Sequence, residues 1–310
     1  MRVGAIDIGS NSIRLLVADV PSGGKPLVTI ARAGEPCRLA RGLGANGLID
    51  LGLAERAASL VAEFAARARS LGSGRLIAGA TAALRNAENG SLVAGQIEAR
   101  AGVPVRILTG DQEAQLVYQA VVSGLGAMGG RGACVVFDIG GGSTEVVSGV
   151  GASSGRWTSL PFGAVSLTER FLPSNPPSSE QMNDLVSHVQ EHIMHECALM
   201  PRETPVLAGV GGTVTVLGMM DRELSSYEPS LLEGWRIERS RLDVLVDRLC
   251  STSEVDRRRW PAMGEGRADI VIAGALAVRC LMERFPSNAL VCSTQGLRYG
   301  LARMAAETIE

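Results

Sequence analysis

The sequence predicts an α/β protein built from two similar halves. Three observations support this prediction: strand-like and helix-like segments alternate, a strand–glycine turn–strand pattern occurs twice, and a glycine-rich stretch separates the two copies. The 310 residues suit about two domains. Hydrophobic residues make up 46% and charged residues 20%, a balance that excludes a largely disordered or fibrous chain.

The first half opens with a predicted hairpin. Val3 to Ile8 and Ile13 to Val20 are apolar, β-branched runs joined by the turn Gly9-Ser10-Asn11-Ser12. From Leu51 to Leu71 the apolar residues recur at helical spacing, and Gly72 ends that helix. The expected elements that follow are a strand at Arg75 to Ala80, a polar turn and helix from Thr81, a strand at Val103 to Leu108, and a helix at Gln112 to Ser123.

The second half repeats this opening. Ser123 to Gly132 is the richest glycine stretch, and we interpret it as a hinge. Cys134 to Ile139 and Thr144 to Val150 then form a hairpin pattern that aligns with the first, Asp138 taking the place of Asp7. The expected later elements are a helix from about Glu180 to Met200, a strand at Pro205 to Ala208, and a glycine turn at Gly211 to Thr213. We expect domains at residues 1–124 and 125–296, with a last helix of about residues 297–310 packed back on the first.

The composition excludes several classes of protein. Of the 30 Lys and Arg residues only Lys25 is a lysine, and it lies in a turn-like segment that lacks the P-loop pattern. P-loop NTPases, Schiff-base enzymes and protein kinases therefore lose most of their support. The net charge of −2 gives no general attraction for a nucleic acid polymer or an anionic membrane, so any anion site must be local.

The cysteines and the N-terminus indicate a cytoplasmic protein. The six cysteines are scattered without a CxxC pair, which suits buried thiols better than disulfides or a zinc site. Met1 to Ser10 has the pattern of a strand and turn rather than of a charged leader. No apolar stretch reaches the roughly 18 residues of a membrane span, so we expect no membrane contact.

Each hairpin places an aspartate at the end of a strand, directly before a glycine turn. Asp7 and Asp138 can together hold a hydrated Mg²⁺ in a cleft between the halves, because Mg²⁺ prefers one or two carboxylates plus waters and substrate oxygens. The N–H groups of the turns can bind phosphoryl oxygens. The alternative is a tight hairpin whose aspartate caps its own backbone. The predicted phosphate-binding residues of the three turns are Ser10, Asn11, Ser12, Gly140, Gly141, Gly142, Ser143, Gly211, Gly212 and Thr213.

Hydrolysis at such a site needs a base that activates water. Glu113, in the first turn of a predicted helix, and Glu145, just past the second glycine turn, are the candidates. The alternatives are that Glu113 only interacts favourably with the helix dipole and that Glu145 only faces solvent. Arg14 and Arg85 can bind phosphate as bidentate donors, the alternative for each being a solvated surface arginine.

Two further patterns have simpler interpretations. His188, His192 and His195 share one face of a predicted helix, a spacing that a zinc site would use, but we favour a polar helix face. The run Arg257-Arg258-Arg259 beside Trp260 is interpreted as a solvated loop, with a track for a polyanion as the alternative.

These motifs resemble those of the Ppx/GppA family, the exopolyphosphatases and guanosine pentaphosphate phosphohydrolases. The resemblance covers Arg2 to about Ala302 and implies an actin-like, ribonuclease H-like duplicated fold of the short two-domain class. The motifs occur in the family's order: Asp7 to Ser12, Ala80 to Arg85, Gly110 to Leu116, Asp138 to Glu145, Gly211 to Thr213 and Arg267 to Asp269.

The resemblance also implies an activity and a homodimer. The activity is release of terminal orthophosphate from linear polyphosphate, with guanosine pentaphosphate (pppGpp) as a further substrate, dependent on Mg²⁺ or another divalent cation such as Mn²⁺. Glu113, at the second Glu of the family's G-x-E-E-A-type motif, would be the catalytic base, and Gln112 stands in place of the first Glu. Asp138 and Glu145 would bind metal and water, and Arg85 would contact phosphate. The alternatives are an actin-like ATPase or small-molecule kinase, and a non-catalytic regulator that binds guanosine tetra- or pentaphosphate.

Overall fold

A computed structural model describes residues 1–21, 26–126, 128–129, 132–202, 206–264 and 266–307, with the backbone alone at 44 and 45. Lys25 and the end of the expected C-terminal helix lie outside these residues. The chain divides into two compact units, Met1–Ala120 together with the helix that begins at Leu297, and Val121–Gly296. Within the ranges given above, no helix is long and apolar enough to cross a membrane.

The first unit contains a five-stranded mixed sheet. Its strands, in the sheet order β3-β2-β1-β4-β5, are β1 (Arg2–Ile8), β2 (Ser12–Asp19), β3 (Val28–Pro36), β4 (Arg75–Ala80) and β5 (Val105–Ile107). The antiparallel pairs are β1–β2 and β2–β3, and the parallel pairs are β1–β4 and β4–β5. The helices are α1 (Leu43–Asn46), α2 (Leu51–Ser70), α3 (Ala82–Asn86), α4 (Gly90–Ala101) and α5 (Gly110–Leu125).

Helix α2 shows how the sequence specifies these elements. It begins where the carboxylate of Asp50 accepts a hydrogen bond from the N–H of Leu53 at 3.0 Å, and its last turn carries Arg67 and Arg69, which complement the helix dipole. Small residues such as Ala68 face the sheet and let the helix approach β1 closely. The predicted helix over Leu51 to Leu71 is therefore confirmed.

The second unit contains a six-stranded mixed sheet in the order β10-β11-β9-β6-β7-β8. The strands are β6 (Ala133–Ile139), β7 (Thr144–Val150), β8 (Ser153–Leu160), β9 (Val206–Gly211), β10 (Arg236–Glu238) and β11 (Ala289–Cys292). The helices are α6 (Ala164–Phe171), α7 (Ser179–Glu196), α8 (Gly212–Asp221), α9 (Pro229–Leu232), α10 (Arg239–Ser251), α11 (Glu254–Arg257) and α12 (Val271–Arg284). The last helix, α13 (Leu297–Glu307), belongs to the first unit and packs against β1 and β4.

The two sheets have the same strand order and strand directions over five strands. Counted from the edge hairpin strand inward, β3-β2-β1-β4-β5 corresponds to β8-β7-β6-β9-β11, with the same parallel and antiparallel pairs, and the second sheet adds β10. The register matches as well, because Asp7 lies opposite Arg14 on β1–β2 and Asp138 lies opposite Glu145 on β6–β7. The predicted α/β duplication is confirmed.

Candidate active site

In the first unit, three predicted site residues lie at the carboxyl ends of neighbouring strands. Asp7 is near the end of β1, Arg85 is in α3 directly after β4, and Glu113 is in α5 after β5. Because β1, β4 and β5 are parallel neighbours, these elements begin at one edge of the sheet. Ligand sites of open α/β sheets form at such edges.

Arg85 and Glu113 form an ion pair. One guanidinium nitrogen, Nη1 of Arg85, donates to the carboxylate of Glu113 and to the carbonyl of Leu108, each at 2.9 Å. Glu113 is only 7% exposed, so its carboxylate is held in one place by a charge-assisted bond. The alternative of a solvated surface arginine is therefore wrong for Arg85, and Glu113 does more than complement a helix dipole.

A capping box fixes the start of α5. The hydroxyl of Thr109 accepts a hydrogen bond from the N–H of Gln112 at 3.2 Å, and the side-chain oxygen of Gln112 accepts one from the N–H of Thr109 at 3.1 Å. The Gln112 side chain thus stabilises the helix end that carries Glu113. A glutamine serves this purpose as well as a glutamate.

Asp7 is half-buried and lies near two arginines, Arg14 across the hairpin and Arg298 from α13. Burial raises the pKa of Asp7 above its usual value, although the charges of both arginines act in the opposite direction. Arg14 also donates to the hydroxyl of Ser12 at 3.1 Å. The charged neighbours of Asp7 are thus cations, whereas those of its counterpart in the second unit include a carboxylate.

That counterpart, Asp138, has a carboxylate as its neighbour. Asp138 and Glu145 are direct cross-strand partners and therefore project from the same face of the hairpin. Glu145 is 1% exposed and accepts a hydrogen bond from the hydroxyl of Ser159 at 2.9 Å, so it does not face solvent. Two adjacent carboxylates repel each other unless a cation lies between them. This donor set fits Mg²⁺.

The second glycine turn is tied to α6 through its carbonyl groups. The carbonyls of Gly140 and Gly141 accept hydrogen bonds from the first N–H groups of α6, Ala164 and Val165, at 2.9 Å each, and Gly140 donates to the carbonyl of Ser143 at 3.0 Å. None of these bonds uses the N–H groups of Gly141, Gly142 and Ser143. These three groups remain the candidates for binding phosphate.

The first turn is held in the same manner. The carbonyls of Ser10 and Asn11 accept hydrogen bonds from the segment after β3, the first from the N–H of Ala40 at 3.0 Å and the second from that of Cys37 at 2.9 Å. Gly9 donates to the carbonyl of Ser12 at 3.1 Å, as Gly140 does to Ser143. With Asp7 aligned on Asp138, the two turns share this bond and the accepting carbonyl of Ser10 and Gly141, whereas the other accepting carbonyl is that of Asn11 in the first turn and of Gly140 in the second.

The third turn adjoins Asp138. Gly211 has a φ of 100°, and a Cβ there would lie 2.9 Å from Oδ1 of Asp138, so only glycine fits. Helix α8 begins at Gly212 and has the buried Thr213 in its first turn. Nη1 of Arg267 lies 1.2 Å from the point that a Cβ on Gly212 would occupy, which places its guanidinium directly on the turn.

Arg267 is a site residue that sequence reasoning missed. The available signal was its motif, Arg267-Ala268-Asp269, one of the six on which the resemblance depends. The distance between the motif and the glycine turn along the chain hides their contact. In the second unit the structure thus brings together Asp138, Glu145, two glycine turns and Arg267.

A sequence profile of the Ppx/GppA phosphatase family matches residues 16–307. The chain belongs to this family. It is 33% identical over 308 residues to exopolyphosphatase 1 of Mycobacterium tuberculosis, covering 97% of this chain and 87% of the relative. It is 30% identical over 313 residues to exopolyphosphatase 2 of the same organism, covering 97% of both. The predicted enzyme class, a phosphoanhydride hydrolase, is confirmed at the level of the family.

Crystal structures of Ppx/GppA proteins have the same fold. The family member from Aquifex aeolicus is 27% identical, with a TM-score of 0.83 over 100% of this chain and 99% of that one. An exopolyphosphatase-like protein is also 27% identical, with a TM-score of 0.91 over 97% and 96% of the two chains. The actin-like, ribonuclease H-like fold class is confirmed by this agreement and by the duplicated strand order.

Two of the three histidines of this Ppx/GppA protein, His188 and His192, form part of an aromatic cluster. The rings of His188 and His192 are 4.6 Å apart and contact Phe162, which lies in the loop before α6, whereas His195 is exposed. The predicted polar face is therefore only partly correct. Among the described residues, no group of three or more His, Cys, Asp and Glu side chains is arranged to hold a metal ion.

The predicted solvated loop at Arg257-Arg258-Arg259 is wrong for its first residue. Arg258 and Arg259 are exposed, but Arg257 is 0% exposed. It is buried because its guanidinium binds carbonyl groups of two other segments, at the end of α10 and at Ala268. A pattern of three consecutive charges does not reveal partners that the fold brings from elsewhere.

Proposed function

We propose that this chain is an exopolyphosphatase that releases terminal orthophosphate from linear polyphosphate. The observation that carries the proposal is the buried Glu113, fixed by Arg85 at the start of α5, because hydrolysis needs a positioned base for water. The names of the two mycobacterial relatives support the same substrate. A kinase would need a second hydroxyl as acceptor rather than an activated water.

Glu113 accepts a proton from the attacking water. The oxygen of that water bonds to the terminal phosphorus, and the bond from this phosphorus to the bridging oxygen breaks. The electron pair of the broken bond leaves with the shortened polyphosphate, and the product is orthophosphate. Arg85 orients the base throughout, so the residues contribute mainly positioning and electrostatic stabilisation.

Glycine turns and arginines neutralise the phosphates in this proposal. The N–H groups of the turns at Ser10 to Ser12, Gly141 to Ser143 and Gly211 to Thr213 bind phosphoryl oxygens, while that of Gly140 donates within its own turn. Arg267 adds a charge at the third turn, where its guanidinium already lies on Gly212. Arginine suits this task because its planar group can bind two phosphate oxygens at once.

Asp138 and Glu145 are proposed to hold the divalent cation, Mg²⁺ or Mn²⁺. The two neighbouring carboxylates fit such an ion, whereas Asp7, in the other unit, has Arg14 and Arg298 as its charged neighbours. When bound, the ion supplies positive charge to the phosphoryl oxygens of the substrate.

The proposal includes pppGpp as a second substrate and a homodimer as the oligomeric state. Guanosine pentaphosphate carries a linear triphosphate, so the same residues would release its terminal phosphate and leave ppGpp. A homodimer is expected from the family resemblance. Neither changes the residues that carry the chemistry.

Phosphate release from tripolyphosphate, long polyphosphate, pppGpp and ATP, measured over a range of Mg²⁺ concentrations, tests the proposal. We expect Mg²⁺-dependent release from polyphosphate that exceeds release from ATP. Preferential ATP turnover would instead indicate an ATPase or kinase. Tight nucleotide binding without release at any Mg²⁺ concentration would indicate a regulator.

A further inference from the structure

Arg257 is a fully buried cation whose hydrogen bonds all go to carbonyl groups. It ends α11 and is 0% exposed. Its Nε donates to the carbonyl of Ala268 at 3.0 Å, and its Nη1 donates to the carbonyls of Leu249, at 3.2 Å, and Thr252. For Nη2 the described residues offer no hydrogen-bond partner. The side chain thus joins the end of α10 to the segment at Ala268.

The contacts of Arg257 offset the cost of burying its charge. Burial lowers the pKa of Arg257, because a charged group is disfavoured away from water. The carbonyls of Leu249 and Thr252, at the end of α10, lack partners within the helix, and the guanidinium satisfies them. These two contacts stabilise the end of α10, whereas the third, to Ala268, lies elsewhere in the unit.

The contact with the carbonyl of Ala268 has a further consequence, because the neighbour of Ala268 in the chain is Arg267. The guanidinium of Arg267 lies on Gly212, in the turn that begins α8, with Nη1 1.2 Å from the position of a Cβ there. Arg267 and Ala268 lie between the short helical turn at Pro261–Met263 and α12, outside any helix or strand. The carbonyl of Arg267 accepts hydrogen bonds from the N–H groups of Ile270 and Val271 at the start of α12, at 3.1 and 2.9 Å. The bond from Arg257 to the next carbonyl adds a side-chain tie directly beside Arg267.

We propose that Arg257 is a positioning residue that holds Arg267 on the third glycine turn and thereby sets the affinity for the phosphates of the substrate. This inference rests on the proposed function, since it assigns Arg267 to substrate binding. Without the bond to Ala268, the segment relaxes and the guanidinium of Arg267 leaves the turn. Substrate binding weakens more than the chemical step, because Glu113 lies in the other unit and keeps its contacts with Arg85.

The test compares Arg257→Met with Arg258→Met, which removes the same charge from an exposed neighbour that pairs with Glu254. With tripolyphosphate as substrate, we expect Arg257→Met to raise KM about tenfold or more while kcat changes less than about threefold, as for loss of a charged hydrogen bond. Arg258→Met should match the wild type. Arg257→Lys retains the charge and serves as a second variant if the methionine variant does not fold.

The double variant Arg257→Met/Arg267→Met separates positioning from a structural role. If Arg257 acts through Arg267, the double variant has the KM of Arg267→Met alone. Independent effects on KM, or a wild-type KM for Arg257→Met, would overturn the proposal. So would a fall in melting temperature accompanied by equal losses of kcat and kcat/KM.

Calorimetric titration with inorganic tripolyphosphate keeps this test separate from the proposed function. If the wild type binds tripolyphosphate without releasing phosphate, the exopolyphosphatase proposal fails. A weaker affinity of Arg257→Met than of Arg258→Met would still support positioning by Arg257. Equal affinities of the two variants would refute it.

Discussion

Glu113 is a buried carboxylate with a defined partner, and its role can be tested without disturbing that partner. In Glu113→Gln the amide oxygen can still accept the hydrogen bond of Arg85, but the side chain can no longer take a proton. We expect kcat for polyphosphate to fall about a hundredfold or more, with little change in KM.

The control for this variant is Glu63→Gln, on an exposed part of α2, which should leave both kinetic constants unchanged. The measurement is steady-state phosphate release from tripolyphosphate by the wild type and by the two variants. If Glu113→Gln releases phosphate at the full rate, Glu113 is not the base.

Asp138 and its counterpart Asp7 have the same place in the two hairpins but different neighbours. Glu145 stands opposite Asp138, whereas the equivalent position opposite Asp7 is Arg14. We therefore expect Asp138→Asn to raise the Mg²⁺ concentration for half-maximal activity about tenfold or more. Asp7→Asn, a matched change in a carboxylate that lies opposite an arginine rather than a second carboxylate, should shift this concentration less. A larger shift for Asp7→Asn would place the ion on the first hairpin.

At the scale of elements, the start of α8 depends on a glycine for space. A methyl group on Gly212 would coincide with Nη1 of Arg267 and force the guanidinium off the turn. We expect Gly212→Ala to raise KM for tripolyphosphate about tenfold, as the loss of one charged contact should.

Gly95→Ala is the matched control for that change. Gly95 lies within α4, and no heavy atom comes within 4 Å of the point that an added methyl group would occupy, so alanine there should preserve KM and slightly stabilise the helix. Thermal melting of both variants distinguishes a local effect at the turn from a general loss of stability. An unchanged KM for Gly212→Ala would argue against a role of Arg267 in binding.

The sequence predicted those elements whose signals are local. The β1–β2 and β6–β7 hairpins combine β-branched runs with glycine turns, and α2 has a regular apolar spacing. The sequence did not predict β3, where a glycine and a proline interrupt the alternation of apolar and polar residues, or β11, which has only four residues. It also missed α12, whose nearly continuous apolar residues lack a helical period because most of them are buried.

The site residues, like the helices and strands, were predictable where their signals are local in the sequence. The glycine turns and their aspartates are consecutive in sequence, so their motifs stood out. The Arg85–Glu113 bond, the contact of Arg267 with Gly212 and the burial of Arg257 depend on segments far apart in the chain. Such contacts are set by the packing of the whole unit, which periodicity and spacing do not record.

At the scale of the whole molecule, each unit has its own extended hydrophobic core. All six cysteines are free thiols, and only Cys250 is not fully buried. Burial raises the pKa of the thiols of Cys37 and Cys250 to about 11 and that of Cys134 to about 12. The remaining three, Cys197, Cys280 and Cys292, also have a pKa of about 12 for the same reason.

These values predict how slowly the folded protein reacts with a disulfide reagent. The thiolate is the nucleophile, and an ordinary cysteine has a pKa of about 8.5, so at pH 8 the folded thiols hold far less thiolate than the unfolded ones. Raising the pH from 7 to 9 stays below every folded pKa, and the thiolate fraction of each group should increase about tenfold per pH unit. Timed labelling, followed by mass spectrometry, measures this reaction. In buffer we expect Cys250 to react first, and we expect all six cysteines to be labelled only in denaturant, after unfolding. If a buried thiol is labelled in the native protein as fast as in denaturant, its unit opens readily. The core that positions the site would then be less rigid than its packing indicates.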